Sequence, residues 1–313
     1  MRLASTLTKL RHVCSSLHQR KLFGTMRLVR FERRDGGRQG LGVELDDGGD
    51  VVDLTAADTT LAANMKDFLA AGDLSLSRAR SVVESGEHVV PRDQLKILAP
   101  INNPEKLICV GMNYVDHCTE QNIPVPKEPV VFSKFNNTIV GPTDNIKYPE
   151  ETKELDWEVE LVIVIGKKGK NIKKEDAMNH VFGYTVAHDV SARDWQLQRN
   201  GNQFLIGKSI DDFCPLGPAI VTRDAIKDPH NLRLWTKVNG EYKQDSSTNQ
   251  LVFKTEELLV FLSRFFTLQP GDIILTGTPP GVGVFRKPPE FLKIGDVVEV
   301  GIENIGVLRN KIV

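Results

Sequence analysis

The segment DWEVELVIVI, residues 156–165, places three acidic side chains directly before a continuous apolar run. In a β-strand, alternate side chains share a face, so Asp156, Glu158 and Glu160 are predicted to point one way and the residues between them the other way. Carboxylates aligned beside an apolar run repel one another and resist burial. Two explanations remain open: an edge strand with a solvated acidic face, or a bound divalent cation such as Mg²⁺, which prefers carboxylate oxygens.

The overall composition is that of a globular protein. The chain has 313 residues, of which 40% are hydrophobic and 26% charged. This length allows one large domain with a small one, or two medium domains. No apolar run approaches the roughly 20 residues of a membrane-spanning helix. The formal net charge is −1, and residues 1–31 are basic without a single acid, so the rest of the chain is acidic. An acidic body argues against nucleic acid as a partner.

The first 25 residues form an amphipathic, basic segment. Its apolar residues recur at steps of four and three, as on one face of a helix, at Leu3, Leu7, Leu10, Cys14 and Leu17. A segment that contains arginine and serine but no acid is typical of mitochondrial transit peptides. Residues 1–25 are therefore predicted to target the chain to the mitochondrial matrix, and a basic disordered tail is the alternative. Met26 is predicted to begin the folded chain.

The remainder divides near residue 100. Residues 26–100 are predicted to form a small N-terminal module with helices over 65–71 and 75–83, and residues 101–313 a β-rich catalytic domain. In the second part, Asn239-Gly240 between alternating residues predicts a hairpin with a type I′ turn. Strands are expected at 107–111, 271–276 and 295–300, and helices at 113–122, 174–180, 191–199 and 255–266.

A further carboxylate follows the apolar stretch 181–187, at Asp189. It could be a helix N-cap, but Ser191 fits that position better because Ser-Ala-Arg-Asp, residues 191–194, matches a capping box. Asp189 would then be free to join Glu158 and Glu160 in an oxygen-only site for Mg²⁺ or Mn²⁺. Zinc is disfavoured because no histidine or cysteine lies at ligand spacing.

A histidine and a glutamate lie one helical turn apart in GMNYVDHCTE, residues 111–120. On a helix, His117 and Glu120 are neighbours at i and i+3. A carboxylate orients an imidazole and raises its basicity, which is the arrangement of a general base. An ordinary surface ion pair is the alternative reading.

Two glycine-containing motifs complete the set. Gly-Lys-Ser at 207–209 lacks the spacing of a nucleotide-binding P-loop, so Lys208 is interpreted as a substrate clamp or proton donor, or as a surface lysine. The loop TGTPPGVG, residues 276–283, can offer backbone N–H and hydroxyl groups to a carboxylate, or it is a plain tight loop.

The order of these motifs resembles the fumarylacetoacetate hydrolase family: Gly-x-Asn-Tyr-x-x-His-x-x-Glu, Glu-x-Glu, Asp-x-Ser-Ala-Arg-Asp, Gly-Lys-Ser and Gly-Asp-x-Ile-x-Thr-Gly-Thr-Pro-x-Gly-Val-Gly. The resemblance covers residues 100–313 and extends more weakly into 26–100. It implies an α+β, mostly β fold with a mixed β-roll or barrel core, peripheral helices and a homodimer.

The resemblance also implies roles for individual residues. It implies Mg²⁺ on Glu158, Glu160 and Asp189, with Asp156 behind these ligands, and a His117–Glu120 dyad for proton transfer that Lys208 assists. Three further residues fall where relatives approach substrate, namely Arg193, Gln196 and Thr278. One branch of the family carries another metal carboxylate upstream, and this chain has no clear counterpart, which argues against fumarylacetoacetate as its substrate.

The chemistry of a 2-oxo acid suits such a site. Its carboxylate and keto oxygens can chelate Mg²⁺, and the metal stabilises the enolate while a base acts near C3. The resemblance implies a keto–enol tautomerase that converts enol-oxaloacetate to keto-oxaloacetate through a metal-bound enolate. Oxaloacetate decarboxylase and acylpyruvate hydrolase remain alternatives, since the same residues serve all three outcomes. A catalytically silent metal-binding scaffold is the alternative of another class, and the complete residue set argues against it.

Overall fold

The computed structural model describes residues 26–313 of the chain. The targeting prediction falls on residues 1–25 and therefore lies outside the described part. Within the described part, the strands are, in chain order, β1 (Arg27–Arg33), β2 (Gln39–Glu44), β3 (Val51–Asp53), β4 (Val89–Val90), β5 (Leu95–Leu98), β6 (Leu107–Gly111), β7 (Val130–Ser133), β8 (Ile139–Val140), β9 (Leu155–Asp156), β10 (Val159–Ile165), β11 (Val181–His188), β12 (Ser191–Ala192), β13 (Cys214–Thr222), β14 (Arg233–Val238), β15 (Glu241–Ser247), β16 (Ile273–Leu275), β17 (Val297–Ile302) and β18 (Gly306–Lys311).

Helices are short and lie around these strands. The α-helices are α1 (Leu54–Ala57), α2 (Met65–Ala70), α3 (Asp73–Ser85), α4 (Val115–Glu120), α5 (Phe204–Lys208) and α6 (Thr255–Leu262). Single turns of 3₁₀ helix occur at several loops, a longer 3₁₀ segment spans Lys174–His180, and residues Asp194–Gln198 form a π-helical turn. None of the helices in residues 26–313 has the length and apolar character that crossing a bilayer requires.

The main sheet has twelve strands. Its path runs β4-β3-β2-β1-β13-β11-β10-β16-β6-β7, with β5 added beside β1 and β8 beside β13. The pairs β16–β6 and β13–β8 are parallel, and the others are antiparallel. The path is open, because it ends at β4 and β7 rather than closing on itself. The α+β, mostly β prediction is confirmed, in the form of a mixed open roll rather than a closed barrel.

Strand β10 lies inside this sheet and is buried on both faces. It pairs with β11 on one side and β16 on the other. Leu161, Ile163 and Ile165 belong to one hydrophobic cluster, whereas Val162 and Val164 belong to a second. Coverage of both faces explains the unbroken apolar run. The position of β10 inside the sheet also excludes the alternative that this segment is an edge strand with a solvated acidic face.

Residues 26–98 contribute strands to the same sheet. Strand β1 pairs with β2, β5 and β13, with Arg27 opposite Val221. The hydrophobic cluster that covers the even-numbered face of β10 also contains Phe68 and Leu69 of α2. The N-terminal segment therefore packs directly on the strands of the second part of the chain.

A separate four-stranded sheet, ordered β15-β14-β17-β18, packs on the other hydrophobic cluster. Its β14–β15 hairpin turns at Asn239 and Gly240, whose φ angles of 51° and 84° are both positive. This confirms the predicted type I′ turn, which needs a positive φ at both central residues. The predicted helix over 255–266 ends earlier, at Leu262.

Candidate active site

Three carboxylates meet where β10 begins and β11 ends. Val159 pairs with His188 across these strands, and the Asp189 backbone N–H donates to the Glu158 carbonyl at 2.9 Å. This register brings Glu158, Glu160 and Asp189 together. One ligand oxygen of each lies within 4.8 Å of the others, and the three residues are only 5%, 1% and 0% exposed. The predicted three-carboxylate cluster therefore exists and could hold a metal ion.

Two buried lysines contact the carboxylates. Lys208 Nζ lies 2.8 Å from Glu158 Oε2 and 2.9 Å from Asp189 Oδ2. Lys134 Nζ lies 2.6 Å from Asp189 Oδ1 and donates to the Val190 carbonyl at 3.1 Å. The surface-lysine alternative for Lys208 is thus excluded. Lys134 was not identified from the sequence, where its only signal is its position directly after strand β7.

The three carboxylates differ in charge. Burial opposes ionisation of Glu158, but the charges of Lys208 and Arg193 outweigh it and lower its pKa to about 2. Burial, with the nearby charges of Asp189 and Glu158, raises the pKa of Glu160 well above its ordinary value. Lys134, Lys208 and Arg193 balance the charges of Asp156, Glu158 and Asp189, whereas the raised pKa of Glu160 favours its neutral form. The all-oxygen donor set of the cluster fits a hard divalent cation.

Asp156 lies behind the cluster and holds a loop and an arginine in place. Its carboxylate accepts the backbone N–H groups of Gly283 and Val284, at 2.7 and 3.0 Å. It also accepts Nε–H of Arg193 at 2.8 Å. Arg193 Nη2 in turn lies 2.7 Å from Glu158. This agrees with the implied position of Asp156 behind the ligands.

Arg193 lies directly before the π-helical turn and reaches into the site. Burial opposes its charge, but Asp156 and Glu158 more than compensate, so its pKa is raised above its ordinary value. Its Nη1 donates to Oε1 of Gln196 at 2.7 Å. A fixed guanidinium and the adjoining amide thus line the site together.

The predicted capping box at residues 191–194 is wrong. Ser191 lies in strand β12 and pairs with Asp156 of β9, which requires an extended backbone. Its hydroxyl donates to the Asp189 carbonyl at 2.9 Å, and the helical turn begins only at Asp194. The side chain of Asp189 still faces the site, because the two lysines hold it there.

The histidine–glutamate pair lies on α4, as predicted. His117 Nδ1 is 2.9 Å from Glu120 Oε2, and Glu120 Oε1 accepts the Gly281 N–H at 2.9 Å. His117 is only 6% exposed, and its ring lies 5.9 Å from that of Phe285. An ordinary surface pair is therefore excluded. A further contact, from Gln121 Nε2 to His117 Nε2 at 2.9 Å, was not predicted from the sequence.

The loop over 276–283 closes the site on the side of α4. The N–H of Gly277 donates to Glu160 Oε2 at 2.7 Å. Gly277 has φ 97°, and a Cβ there would lie 2.9 Å from Asn113 Cβ, so glycine is required. The Thr278 hydroxyl donates to the Val159 carbonyl at 3.0 Å. This loop is thus bonded to the strand that carries the carboxylates.

Most of the predicted site residues line a single cavity. Its walls include His117, Glu158, Glu160, Arg193, Gln196, Lys208 and Thr278. Glu120 and Asp189 lie directly behind this wall, each in contact with one of its residues. Aromatic side chains complete the lining, and sequence reasoning did not identify them: Phe132, Phe204 and Phe285. A proton-transfer pair and a carboxylate cluster therefore face the same small space.

The motifs, the fold and this site define a known class of protein. Residues 106–313 match the sequence family described as fumarylacetoacetate (FAA) hydrolase C-terminal. The chain belongs to the fumarylacetoacetate hydrolase family.

Several relatives within this family are highly similar over nearly the whole chain. A Xenopus laevis protein named oxaloacetate tautomerase fahd2, mitochondrial, is 60% identical over 92% of this chain and 91% of its own length. The Homo sapiens protein named oxaloacetate tautomerase FAHD2A, mitochondrial, is 58% identical over 92% of each chain. A Dictyostelium discoideum homologue of fumarylacetoacetate hydrolase domain-containing protein 2 is 44% identical over 93% of this chain and 98% of its own.

Solved structures share the architecture. A fumarylacetoacetate hydrolase from Exiguobacterium antarcticum is 39% identical, with a TM-score of 0.77 over 92% of this chain and 99% of that one. A maleylpyruvate hydrolase from Sphingobium is 32% identical, with a TM-score of 0.75 over the same shares.

Proposed function

We propose that this protein is a metal-dependent isomerase that converts enol-oxaloacetate to keto-oxaloacetate. The observation that carries the proposal is the shared cavity of the His117–Glu120 pair and the three-carboxylate cluster. Relatives that are 57–60% identical over 92% of the chain carry the name oxaloacetate tautomerase, which supports the choice of substrate.

Glu158, Glu160 and Asp189 would hold the metal ion, for which we propose Mg²⁺, with Mn²⁺ as the other candidate. When bound, such an ion polarises the carbonyl of a 2-oxo acid and stabilises negative charge beside it. The all-oxygen donor set of the cluster supports a hard divalent ion, which would displace the proton that the raised pKa of Glu160 favours. Lys134 would keep Asp189 in position for this role from the side away from Lys208.

The cationic and polar residues of the cavity suit a small 2-oxo-dicarboxylate. Asp189 and Glu158 raise the pKa of Lys208 although burial opposes its charge, so this lysine stays protonated. Lys208 would assist by neutralising charge on the substrate oxygens. Arg193 and Gln196 would bind a carboxylate of the substrate, and Thr278 would contact it from the opposite loop.

Tautomerisation moves one proton between two substrate atoms. The enol hydroxyl on C2 loses a proton, C3 gains one, and the C2=C3 double bond becomes C2=O. We assign this transfer to His117, which accepts the hydroxyl proton on Nε2 and then delivers it to C3. Glu120 would hold the ring through Nδ1, and the Gly281 N–H would hold Glu120.

The same proposal extends to organisation and location. Residues 26–100 would act as a small module that supplies strands to the sheet, and residues 101–313 as the catalytic domain. We propose a homodimer, and residues 1–25 as a transit segment for the mitochondrial matrix. The relatives named mitochondrial support the last point.

A second candidate is C–C bond cleavage of a 2-oxo acid. The maleylpyruvate hydrolase with the same fold supports it, since that protein is named for hydrolysis. Acylpyruvate hydrolysis and oxaloacetate decarboxylation would use the same residues and differ in the fate of the intermediate.

Absorbance decay of enol-oxaloacetate tests the proposal, with purified residues 26–313 in Mg²⁺ or EDTA and pyruvate quantified in parallel. Metal-dependent enol loss without pyruvate is expected. Pyruvate accumulation would assign the protein as a decarboxylase. If neither is observed, acylpyruvates are tested next, and failure on both substrates would leave a silent metal-binding scaffold.

A further inference from the structure

Gln121 contacts the nitrogen that the proposed mechanism uses. It is the residue directly after α4, and its backbone N–H bonds back to the His117 carbonyl. Its side-chain nitrogen lies 2.9 Å from His117 Nε2 and 3.7 Å from the sulfur of Met112. The residue is half-buried and lines the cavity. Both ring nitrogens of His117 are therefore engaged, one by Glu120 and one by Gln121.

The chemistry of the partners determines which atom carries each proton. An ionised carboxylate can only accept, so the ring nitrogen facing Glu120 must carry the hydrogen. A neutral imidazole has one N–H only, which leaves a lone pair on Nε2. The amide of Gln121 can donate to that lone pair through its NH₂ group. With the amide nitrogen of Gln121 facing Nε2, the arrangement fits the neutral ring with its proton on Nδ1.

We propose that Gln121 is a positioning residue for the base. In the substrate-free enzyme its amide donates to Nε2 of His117, holds the neutral ring with its basic nitrogen toward the cavity, and gives that nitrogen up when substrate enters. This inference rests on the proposed role of His117 in proton transfer. The short motifs quoted above for the family resemblance do not include Gln121.

Few charged groups compete with this contact. Asp116 and Glu120 lie on the same helix as His117, and the turn Gly283–Phe285 presents only an aromatic ring. The charged groups across the cavity are Glu158, Glu160, Arg193 and Lys208. Within residues 26–313, Glu120 and Gln121 are the side chains that hydrogen-bond to the ring. A substitution at Gln121 therefore removes one interaction of the base and leaves the ionic partner.

The proposal predicts a difference between two pH profiles. A hydrogen bond to the lone pair favours the neutral ring in the free enzyme. The profile of kcat/KM reports the free enzyme, whereas that of kcat reports the substrate complex. Because substrate displaces the amide, loss of Gln121 should shift only the kcat/KM profile and leave the kcat profile in place. A merely structural role would move both profiles or neither.

The test compares Gln121→Leu with Gln94→Leu, a control at an exposed glutamine in the turn Arg92–Gln94. In Gln121→Leu, the acid limb of the kcat/KM profile should shift to higher pH by about 0.5–1 unit. This shift corresponds to the free energy of one hydrogen bond. The kcat limb should stay in place, and Gln94→Leu should match wild type. Gln121→Glu replaces the donor by an acceptor and should shift the limb further in the same direction.

A spectroscopic measurement tests the hydrogen bond to Nε2 without turnover. In ¹⁵N-histidine-labelled protein, the His117 signals, identified by their absence in His117→Gln, should report Nδ1–H in both wild type and Gln121→Leu, and the Nε2 signal should shift in Gln121→Leu because its hydrogen bond is lost. An unchanged Nε2 signal and an unchanged kcat/KM profile would overturn the inference and leave the proposed function standing. If wild type turns over no 2-oxo acid, the proposed function fails, and the NMR comparison alone decides whether Gln121 bonds to Nε2.

Discussion

The two walls of the cavity are built in opposite ways. The carboxylate wall stands on β10 and β11, central strands of the twelve-stranded sheet, and its acids are at most 5% exposed. The dyad wall stands on α4, a six-residue helix whose N-cap residue, Tyr114, makes no side-chain capping bond. It follows β6, which is one strand from the end of the sheet path. The central strands carry the charged residues, and the short helix near the end of the sheet carries the proposed base.

This difference has an energetic meaning. Buried charges are tolerated only when every one is paired, so the carboxylate wall couples stability to function. Helix α4 in the dyad wall is less buried, since Val115, Thr119 and Glu120 are exposed. Substitutions in the first wall should reduce both folding stability and turnover, whereas those in the second should reduce mainly turnover.

The largest effect is expected for Asp189→Asn. This change removes the negative charge that faces Lys134 and Lys208, and leaves two buried cations with one carboxylate partner. We expect a stability loss of about 3–5 kcal/mol and a fall in turnover of about 10³-fold, since metal catalysis supplies several kcal/mol. Urea unfolding and the enol assay measure the two quantities. Asp176→Asn, which changes an exposed acid, serves as the control. If Asp189→Asn were as stable as wild type, the coupling between folding stability and function in the carboxylate wall would be contradicted.

Next in size is His117→Ala in the dyad wall. Turnover should fall by about 10²–10⁴-fold, the usual contribution of a general base. Metal affinity, measured by calorimetry, should stay at the wild-type value, and unfolding free energy should change by about 1 kcal/mol. His180→Ala removes a histidine that bonds only the Lys167 carbonyl and should leave turnover unchanged. Full activity of His117→Ala would refute the assignment of the base.

A smaller effect is expected for Asp156→Asn, which lies between the walls. This carboxylate joins Arg193 to the loop that begins at Gly283. Weakening that junction should raise KM about tenfold, since charge-assisted hydrogen bonds are worth about 1.5–3 kcal/mol, with a lesser change in kcat. Steady-state kinetics separate the two constants. A fall in kcat with unchanged KM would mean that Asp156 acts on the chemistry rather than on substrate binding.

The smallest effect concerns pH and metal affinity. The raised pKa of Glu160 means that this carboxyl holds a proton that a cation must displace. Affinity for Mg²⁺ should therefore rise severalfold with pH, and binding should release protons. Calorimetry in two buffers of different ionisation enthalpy detects that release. Glu160→Gln has no such proton, so it should bind Mg²⁺ more weakly and with a flatter pH dependence. Binding of Mg²⁺ by wild type that does not change with pH would contradict the assignment of this proton to Glu160.

Local patterns in the sequence were sufficient to predict features that depend on residues close together in the chain. The Asn239-Gly240 turn, the i, i+3 pair on α4 and the carboxylates before β10 all follow from periodicity or turn chemistry. Lys134 could not be found this way, because its partner Asp189 is 55 positions away and only the folded sheet joins them. Ser191 was misassigned for the same reason, since its pairing with β9 overrides its capping preference.

The placement of β1 has a consequence for the order of folding. Arg27 pairs with Val221 in β13, and its guanidinium donates to the carbonyl of Ile305 at 3.0 Å. These contacts span most of the chain, and contacts between distant residues form slowly. On the ribosome, the first strand cannot complete its interactions until nearly the last residue has been synthesised. Although β2 and β5 are synthesised early and can pair with β1, its edge at Arg27 and Leu28 stays unpaired until β13 has been made, and an unpaired edge can pair with another chain.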